Sequence, residues 1–190
     1  MNTTLPRIPQ QTTLRIIDAN LNRASEGLRV IEDIARLALN NVTLSERLKN
    51  MRHDMVEFDL AVNSLLIGSR DVDGDVGANL VAPESLQKDL PLSAVANSRR
   101  VQESLRTLEE LSRTLKISSI PEPETFRQFR FELYSIERKL LSGLLREDKR
   151  KRIFGLCAII DTLALKGRKH LEVTEQVIKG GAKTIQLRDK

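Results

Sequence analysis

The chain has 190 residues, room for one full domain and part of another. With 40% hydrophobic and 30% charged residues it has the composition of a folded globular chain, and with no Trp and six aromatic residues it offers nucleic acid little to stack on. The formal charge of +5 is uneven: residues 1–147 carry 20 Lys/Arg against 21 Asp/Glu, and residues 148–190 carry 11 against 5.

Residues 1–13 read as a tail without the apolar core of a secretion signal. No apolar run approaches the roughly 20 residues of a membrane span. The expectation is a cytoplasmic protein with no membrane and no nucleic-acid partner. From residue 14 an apolar stripe at positions 17, 21, 24, 28, 31, 35 and 38 alternates three and four residues apart, which predicts a helix with one buried face. Thr43, followed by Glu46, is the expected cap of a second helix that includes Leu48–Met55.

The same unit then returns. Residues 18–36 (DANLNRASEGLRVIEDIAR) align without a gap with 95–113 (VANSRRVQESLRTLEELSR) at an offset of 77. The shared residues include Asn20/Asn97, Arg23/Arg100, Glu26/Glu103, Arg29/Arg106, Glu32/Glu109 and Arg36/Arg113. The second helix repeats at an offset of 78, pairing Arg52 with Arg130, and Pro121 and Pro123 break the second turn. The expected fold is mainly α: an internally duplicated helix-pair bundle of four main helices over residues 14–147, with halves at about 14–67 and 92–146 joined by Gly68–Pro91.

A duplicated core requires duplicated apolar residues, but not the same Asn, Arg and Glu. On a helical wheel Asn20 and Glu32 lie about 60° from the centre of the stripe, Arg23 and Arg29 about 120°, and Glu26 points away. The repeated polar set therefore wraps the helix. Two readings fit it: a ladder of surface ion pairs, or a phosphate site, since a guanidinium fork binds two oxygens and stays charged. The phosphate candidates are Arg23, Arg29, Arg52, Arg70, Arg100, Arg106 and Arg130, with Asn20 and Asn97 beside them. The connection RDVDGDVG offers Asp71 and Asp75 as Mg²⁺ ligands, or as aspartates that cap a polar turn. His53 reads as a phosphate ligand or general base, or as a structural histidine. The chain has no P-loop, so any ATP would be held by arginines and aspartates.

Residues 148–152 read as a basic linker. Ile153–Ile160 is an apolar run that predicts a strand buried on both faces, in which Cys157 is a small buried hydrophobe. A helix over 169–179, ended by Gly180–Gly181, and a strand over 184–190 complete a β-α-β unit. Gln186, Arg188 and Lys190 share one side of that last strand, a good arrangement for an anion.

Residues 153–190, with GLCAIIDTLALKGR and GGAKTIQLRDK, resemble the start of thiamin-phosphate synthase, a TIM barrel. The resemblance implies that Gln186, Arg188 and Lys190 contact a pyrimidine diphosphate. Two strands cannot close a barrel, so synthase activity is not expected from these residues alone. Residues 14–146, with LRIIDANLNRASEGLRVIEDIAR, MRHDM, SRDVDGDVG, NSRRVQESLRTLEEL and FRFELYSIERKL, resemble a hydroxymethylpyrimidine-phosphate kinase domain fused ahead of that synthase. That resemblance implies phosphorylation of the pyrimidine phosphate with ATP and Mg²⁺. On this reading Arg29, Arg106, Arg52 and His53 are the catalytic candidates. The implied partners are the small pyrimidine phosphate and a second copy or a complete thiamin-phosphate synthase. The alternative function is a docking or dimerisation module without a site.

Overall fold

The computed structural model of the chain describes residues 10–71, 74–75, 89–114 and 120–189, the side chain of Arg152 excepted. Contacts divide the chain into two units, Met1–Leu144 and Leu145–Lys190.

In the first unit, helix α1 spans Gln10–Asp33 and widens into one π-helical turn over Ile34–Ala38. Its stripe Leu14, Ile17, Leu21, Ala24, Leu28 and Ile31 is buried. The Leu39 N–H reaches the Ile34 carbonyl at 3.3 Å, the i→i+5 bond of that wider turn. Asn40, at φ 48°, takes the left-handed conformation that ends the helix, which asparagine tolerates better than most residues.

Helix α2 spans Val42–Val56. Its cap is Asn41, whose side-chain oxygen accepts from the Leu44 N–H at 3.0 Å, and this corrects the expectation of Thr43. Thr43 already lies inside the first turn, where its hydroxyl is too late to serve the free N–H groups. Helix α3, Leu60–Gly68, is capped by Asp59 and adds a fifth helix to the expected four in this unit. Helix α4 spans Leu90–Leu111, capped by Asp89 with Pro91 in its first turn. Helix α5 spans Pro123–Arg152 and begins on a proline, whose missing N–H costs nothing at that position. Residues 148–152, read from sequence as a linker, continue that helix.

The duplicated pairs α1–α2 and α4–α5 share one core. Phe126, Leu133, Ile136 and Leu140 of α5 join Leu105 and Leu108 of α4 and the α1 stripe, all essentially inaccessible to water. Each such side chain contributes about 1.5–3 kcal/mol by leaving water. Helix α1 packs directly on α4. The approach is closest at Gly27, where an added Cβ would lie 2.6 Å from Val101 Cγ2 and 3.3 Å from the Asn97 carbonyl oxygen. Ser98, the counterpart of Leu21, is fully buried, and its hydroxyl has no hydrogen-bond partner among the described residues.

In the second unit, strands β1 (Cys157–Asp161) and β2 (Thr184–Arg188) pair in parallel, with Ile159 opposite Gln186. Helix α6 (His170–Lys179) connects them, and Gly181 at φ 96° turns the chain after it. Strand β1 is shorter than expected and is not buried on both faces: Ile160 is buried, while Ile159 and Cys157 are exposed. Two strands and one short helix cover one face of the sheet, which leaves the side of β1 that carries Cys157 and Ile159 exposed.

Candidate functional site

The polar residues that the repeat preserves meet across each helix pair. In the first copy, Arg52 of α2 reaches Glu32 of α1 with Nε to Oε2 at 3.1 Å. In the second copy, Arg130 of α5 reaches Glu109 of α4 with Nη2 to Oε2 at 2.8 Å. The carboxylates are nearly inaccessible, at 9% and 4% side-chain exposure, so each pair sits at the edge of the core rather than on the surface. A buried carboxylate without its guanidinium would be costly, which makes each pair a latch between the two helices of its repeat.

Around each latch the first helix adds its own arginines. Arg29 lies 3.9 Å from Glu32 and 3.6 Å from Asp33, and Arg36 lies 2.9 Å from Asp33. Arg106 lies 3.3 Å from Glu109 and 2.7 Å from Glu110, and Arg113 lies 3.3 Å from Glu109. The ion-pair ladder read from sequence is thus present in both copies. The Arg130 hydrogen bond holds the Glu109 carboxyl below the usual carboxylate range, against the opposing effect of burial and with the Arg106 charge assisting. The Arg130 guanidinium is pushed above its ordinary value by its bonds to the Tyr134 hydroxyl and to Glu109. Arg130 also lies over the Phe131 ring at 5.2 Å.

Asn20 and Asn97 behave alike. Each donates its amide N–H to the carbonyl four residues earlier, Ile16 at 2.8 Å and Ser93 at 2.9 Å. Arg100 donates to the Asn97 side-chain oxygen at 3.2 Å, and Arg23 is exposed. Neither Arg23 nor Arg100 makes an ion pair with a described carboxylate. His53 is exposed on α2 beside Arg52.

A second cluster joins the start of α1 to the segment after α3. Arg70 grips Asp18 with two bonds, Nε to Oδ2 at 2.7 Å and Nη2 to Oδ1 at 2.9 Å, and this contact, reinforced by the Asp18 charge, raises the Arg70 guanidinium above its ordinary value. Arg15 lies 3.3 Å from Asp71 Oδ2 and 3.9 Å from Asp75 Oδ2, and also donates to the Asp71 carbonyl. Asp71 Oδ1 accepts from the Gly74 N–H at 2.9 Å, so the aspartate closes a turn as well as facing a cation. Among the described residues no group of three or more His, Cys, Asp or Glu is arranged to hold a metal. An open groove of about 430 Å³ lies beside this cluster, between the first turns of α1 and the end of α3, and none of the repeated polar residues lines it.

In the second unit Gln186 and Arg188 are exposed at the C-terminal end of β2, and Arg188 lies 3.9 Å from Asp161. Lys190 lies outside the described residues. The structure therefore gathers sequence candidates into four places, the two latches, the Arg15–Asp71 cluster and the β2 end, and leaves Asn20, Arg23, Asn97 and Arg100 outside them. Sequence reasoning passed over Glu32, Glu109, Asp18 and Arg15 as members of these clusters. The signal was available for the first two, because Glu32/Glu109 and Arg52/Arg130 recur at nearly the same offset and opposite charges on paired helices seek each other.

The ThiD2 family matches residues 15–139. Proteins named thiamine-phosphate synthase are similar along almost the whole chain. That of Rhodopirellula baltica is 37% identical over 188 residues, covering 94% of this chain and 48% of that protein. That of Thermosynechococcus vestitus is 34% identical over 197 residues, covering 100% and 52%. The chain spans about half the length of the curated relatives it matches. No solved structure matches it. With the match running through both helix pairs and both latches, the chain belongs to the ThiD2 family.

Proposed function

We propose that the helical unit performs a phosphoryl transfer in thiamin biosynthesis, the ATP-dependent conversion of hydroxymethylpyrimidine phosphate to the diphosphate. The observation that carries this reading is the repeated, exposed Arg23 and Arg100, each three residues after an asparagine, Asn20 and Asn97. These guanidiniums make no ion pair with a described carboxylate, whereas Arg29, Arg52, Arg70, Arg106 and Arg130 each pair with one. The names of the relatives support the pathway, since thiamine-phosphate synthases match across both units of this chain.

In this reading an oxygen of the acceptor phosphate attacks the γ-phosphorus of ATP, a new P–O bond forms, and ADP leaves. The acceptor is already anionic, so no strong base is required, and catalysis is positioning and charge. Arg23 and Arg100 bind phosphate oxygens, with Asn97 buttressing Arg100. His53 and Arg52, adjacent on α2, Arg130 on α5 and the exposed Arg29 and Arg106 supply further positive charge. Asp71 and Asp75 turn one oxygen each toward Arg15, a convergence on a cation that fits a divalent ion with its remaining ligands from phosphate and water. Mg²⁺ held there would neutralise charge on the transferring phosphates. Gln186, Arg188 and Lys190 would then meet the diphosphate product.

The test is to incubate the full chain with Mg-ATP and hydroxymethylpyrimidine phosphate and follow the products by ³¹P NMR. The reading expects ADP and the pyrimidine diphosphate in equal amounts, and it is abandoned if neither forms. One observation favours a second reading, a docking or dimerisation module that holds a second copy or a complete synthase. The ladders around Glu32 and Glu109 use up most of the repeated arginines. That reading expects Arg23→Ala with Arg100→Ala to leave pyrimidine-phosphate binding unchanged in calorimetry.

A further inference from the structure

We propose that the groove between α1 and α3 seats the heterocyclic ring of the phosphorylated substrate, with its phosphate directed to the neighbouring Arg15–Arg70 cluster. This rests on the phosphotransferase reading and adds the place where the substrate ring is held. The groove is built for a small ring with polar substituents. Leu14 and Leu65 supply apolar walls, and Gln10, Gln11 and Ser64 present two amides and a hydroxyl. None of these three side chains is hydrogen-bonded to another described residue, so their donors and acceptors are open to a ligand. The volume of about 430 Å³ is near the small end of pockets that take small molecules.

The charged cluster adjoins the groove along both elements. On α1, Gln11, Arg15 and Asp18 are spaced four and three residues apart and share one stripe with Leu14. On the other side, Gly68 and Ser69 line the groove and lead directly into Arg70 and Asp71. Arg15 and Arg70 are held in place by Asp71 and Asp18, so their positions are set before any ligand arrives. Among the described residues the cluster contains three carboxylates and two guanidiniums, one negative charge in excess. A phosphate is therefore drawn there only together with a cation, and binding at this place depends on Mg²⁺.

Gly68 gives a clean way to block the groove. It is the last residue of α3, and an added Cβ would meet nothing within 4 Å, so a larger side chain grows into open space without disturbing the core. The experiment is calorimetric titration of the full chain with hydroxymethylpyrimidine phosphate, with and without Mg²⁺, and separately with ADP. Gly68→Leu is expected to weaken the pyrimidine phosphate by about ten-fold or more, an effect of about 1.4 kcal/mol. It should leave ADP affinity and melting temperature unchanged, and Gly68→Ala should weaken the pyrimidine phosphate less than Gly68→Leu does. Ser64→Phe, one turn earlier on the same wall, should repeat the loss.

Unchanged pyrimidine-phosphate affinity in both variants overturns the groove, and if diphosphate is still made, the phosphotransferase reading survives without it. Loss of ADP rather than pyrimidine phosphate overturns the assignment of the ring. Binding that ignores Mg²⁺ overturns the placing of the phosphate. If the parent chain binds neither ligand, both proposals fall together.

Discussion

The two copies of the repeat hold the same latch in different surroundings. In the first, Glu32 meets Arg52 at 3.1 Å and receives a more distant arginine, Arg29, at 3.9 Å. In the second, Glu109 meets Arg130 at 2.8 Å and two further guanidiniums, Arg106 and Arg113, each at 3.3 Å. Phe131 and Tyr134 then stand where the first copy has His53 and Val56. The difference separates what the fold requires from what it permits. A carboxylate–guanidinium pair at the edge of each helix pair is kept in both, while the groups around it have diverged.

The largest expected effect tests that separation. Glu109→Ala leaves Arg130 at the core edge without its carboxylate, and should cost about 3–5 kcal/mol, measured by urea unfolding at pH 7. Glu32→Ala should cost less, because Arg52 has fewer arginines crowding it; equal losses would mean that the extra guanidiniums of the second copy are ornamental.

The pH dependence sharpens the same point. The Glu109 carboxyl is lowered in the folded state, so its contribution is complete above its unfolded value of about 4.3 and fades as pH falls through the lower folded value. Glu109→Gln should therefore flatten the loss of melting temperature below about pH 4.3 relative to the parent. An acid limb identical to the parent's would show that another carboxylate sets it.

Gly27→Ala tests the place where the copies touch. Its methyl would crowd Val101 and the Asn97 carbonyl, an overpacking cost of about 1–3 kcal/mol that exceeds the gain in helix propensity of up to about 1 kcal/mol. A stabilised variant would mean that α1 and α4 can separate without penalty. Asn41→Ala removes the cap of α2, for a loss of about 1 kcal/mol in chemical unfolding, whereas Thr43→Ala should leave stability within about 0.5 kcal/mol of the parent.

The smallest effect belongs to the exposed ladders. Arg29→Ala and Arg106→Ala should each cost about 0.3–0.5 kcal/mol, the value of a surface pair four residues apart. Unchanged pyrimidine-phosphate affinity in both would confine these arginines to the scaffold.

Periodicity and duplication made the helical architecture legible in the sequence. The stripe from Ile17 to Ala35 and its shifted copy define one face each, and a helix face is a local property of spacing. The latches were half legible: Arg52 and Arg130 stood out, but their carboxylate partners did not, because opposite charges on different helices meet only once the helices are packed. The cap of α2 went to Asn41 rather than Thr43 because the π-helical turn before it sets where the next helix starts. An inserted turn of that kind leaves no spacing signature. Strand β1 looked doubly buried because Ile159 and Ile160 are equally apolar, and which of them meets water depends on what covers each face. The cluster of Arg15, Asp18, Arg70 and Asp71 brings together residues more than fifty positions apart, and neither copy of the repeat predicts it.

Tyr134 is the only tyrosine of a chain without tryptophan, and Arg130 donates to its hydroxyl at 3.2 Å. With excitation above the phenylalanine band, the ultraviolet emission of this chain thus originates from one ring seated against the second latch. Opening of the Glu109–Arg130 contact, whether by acid, denaturant or a ligand that claims the guanidinium, is built to announce itself optically without any added label.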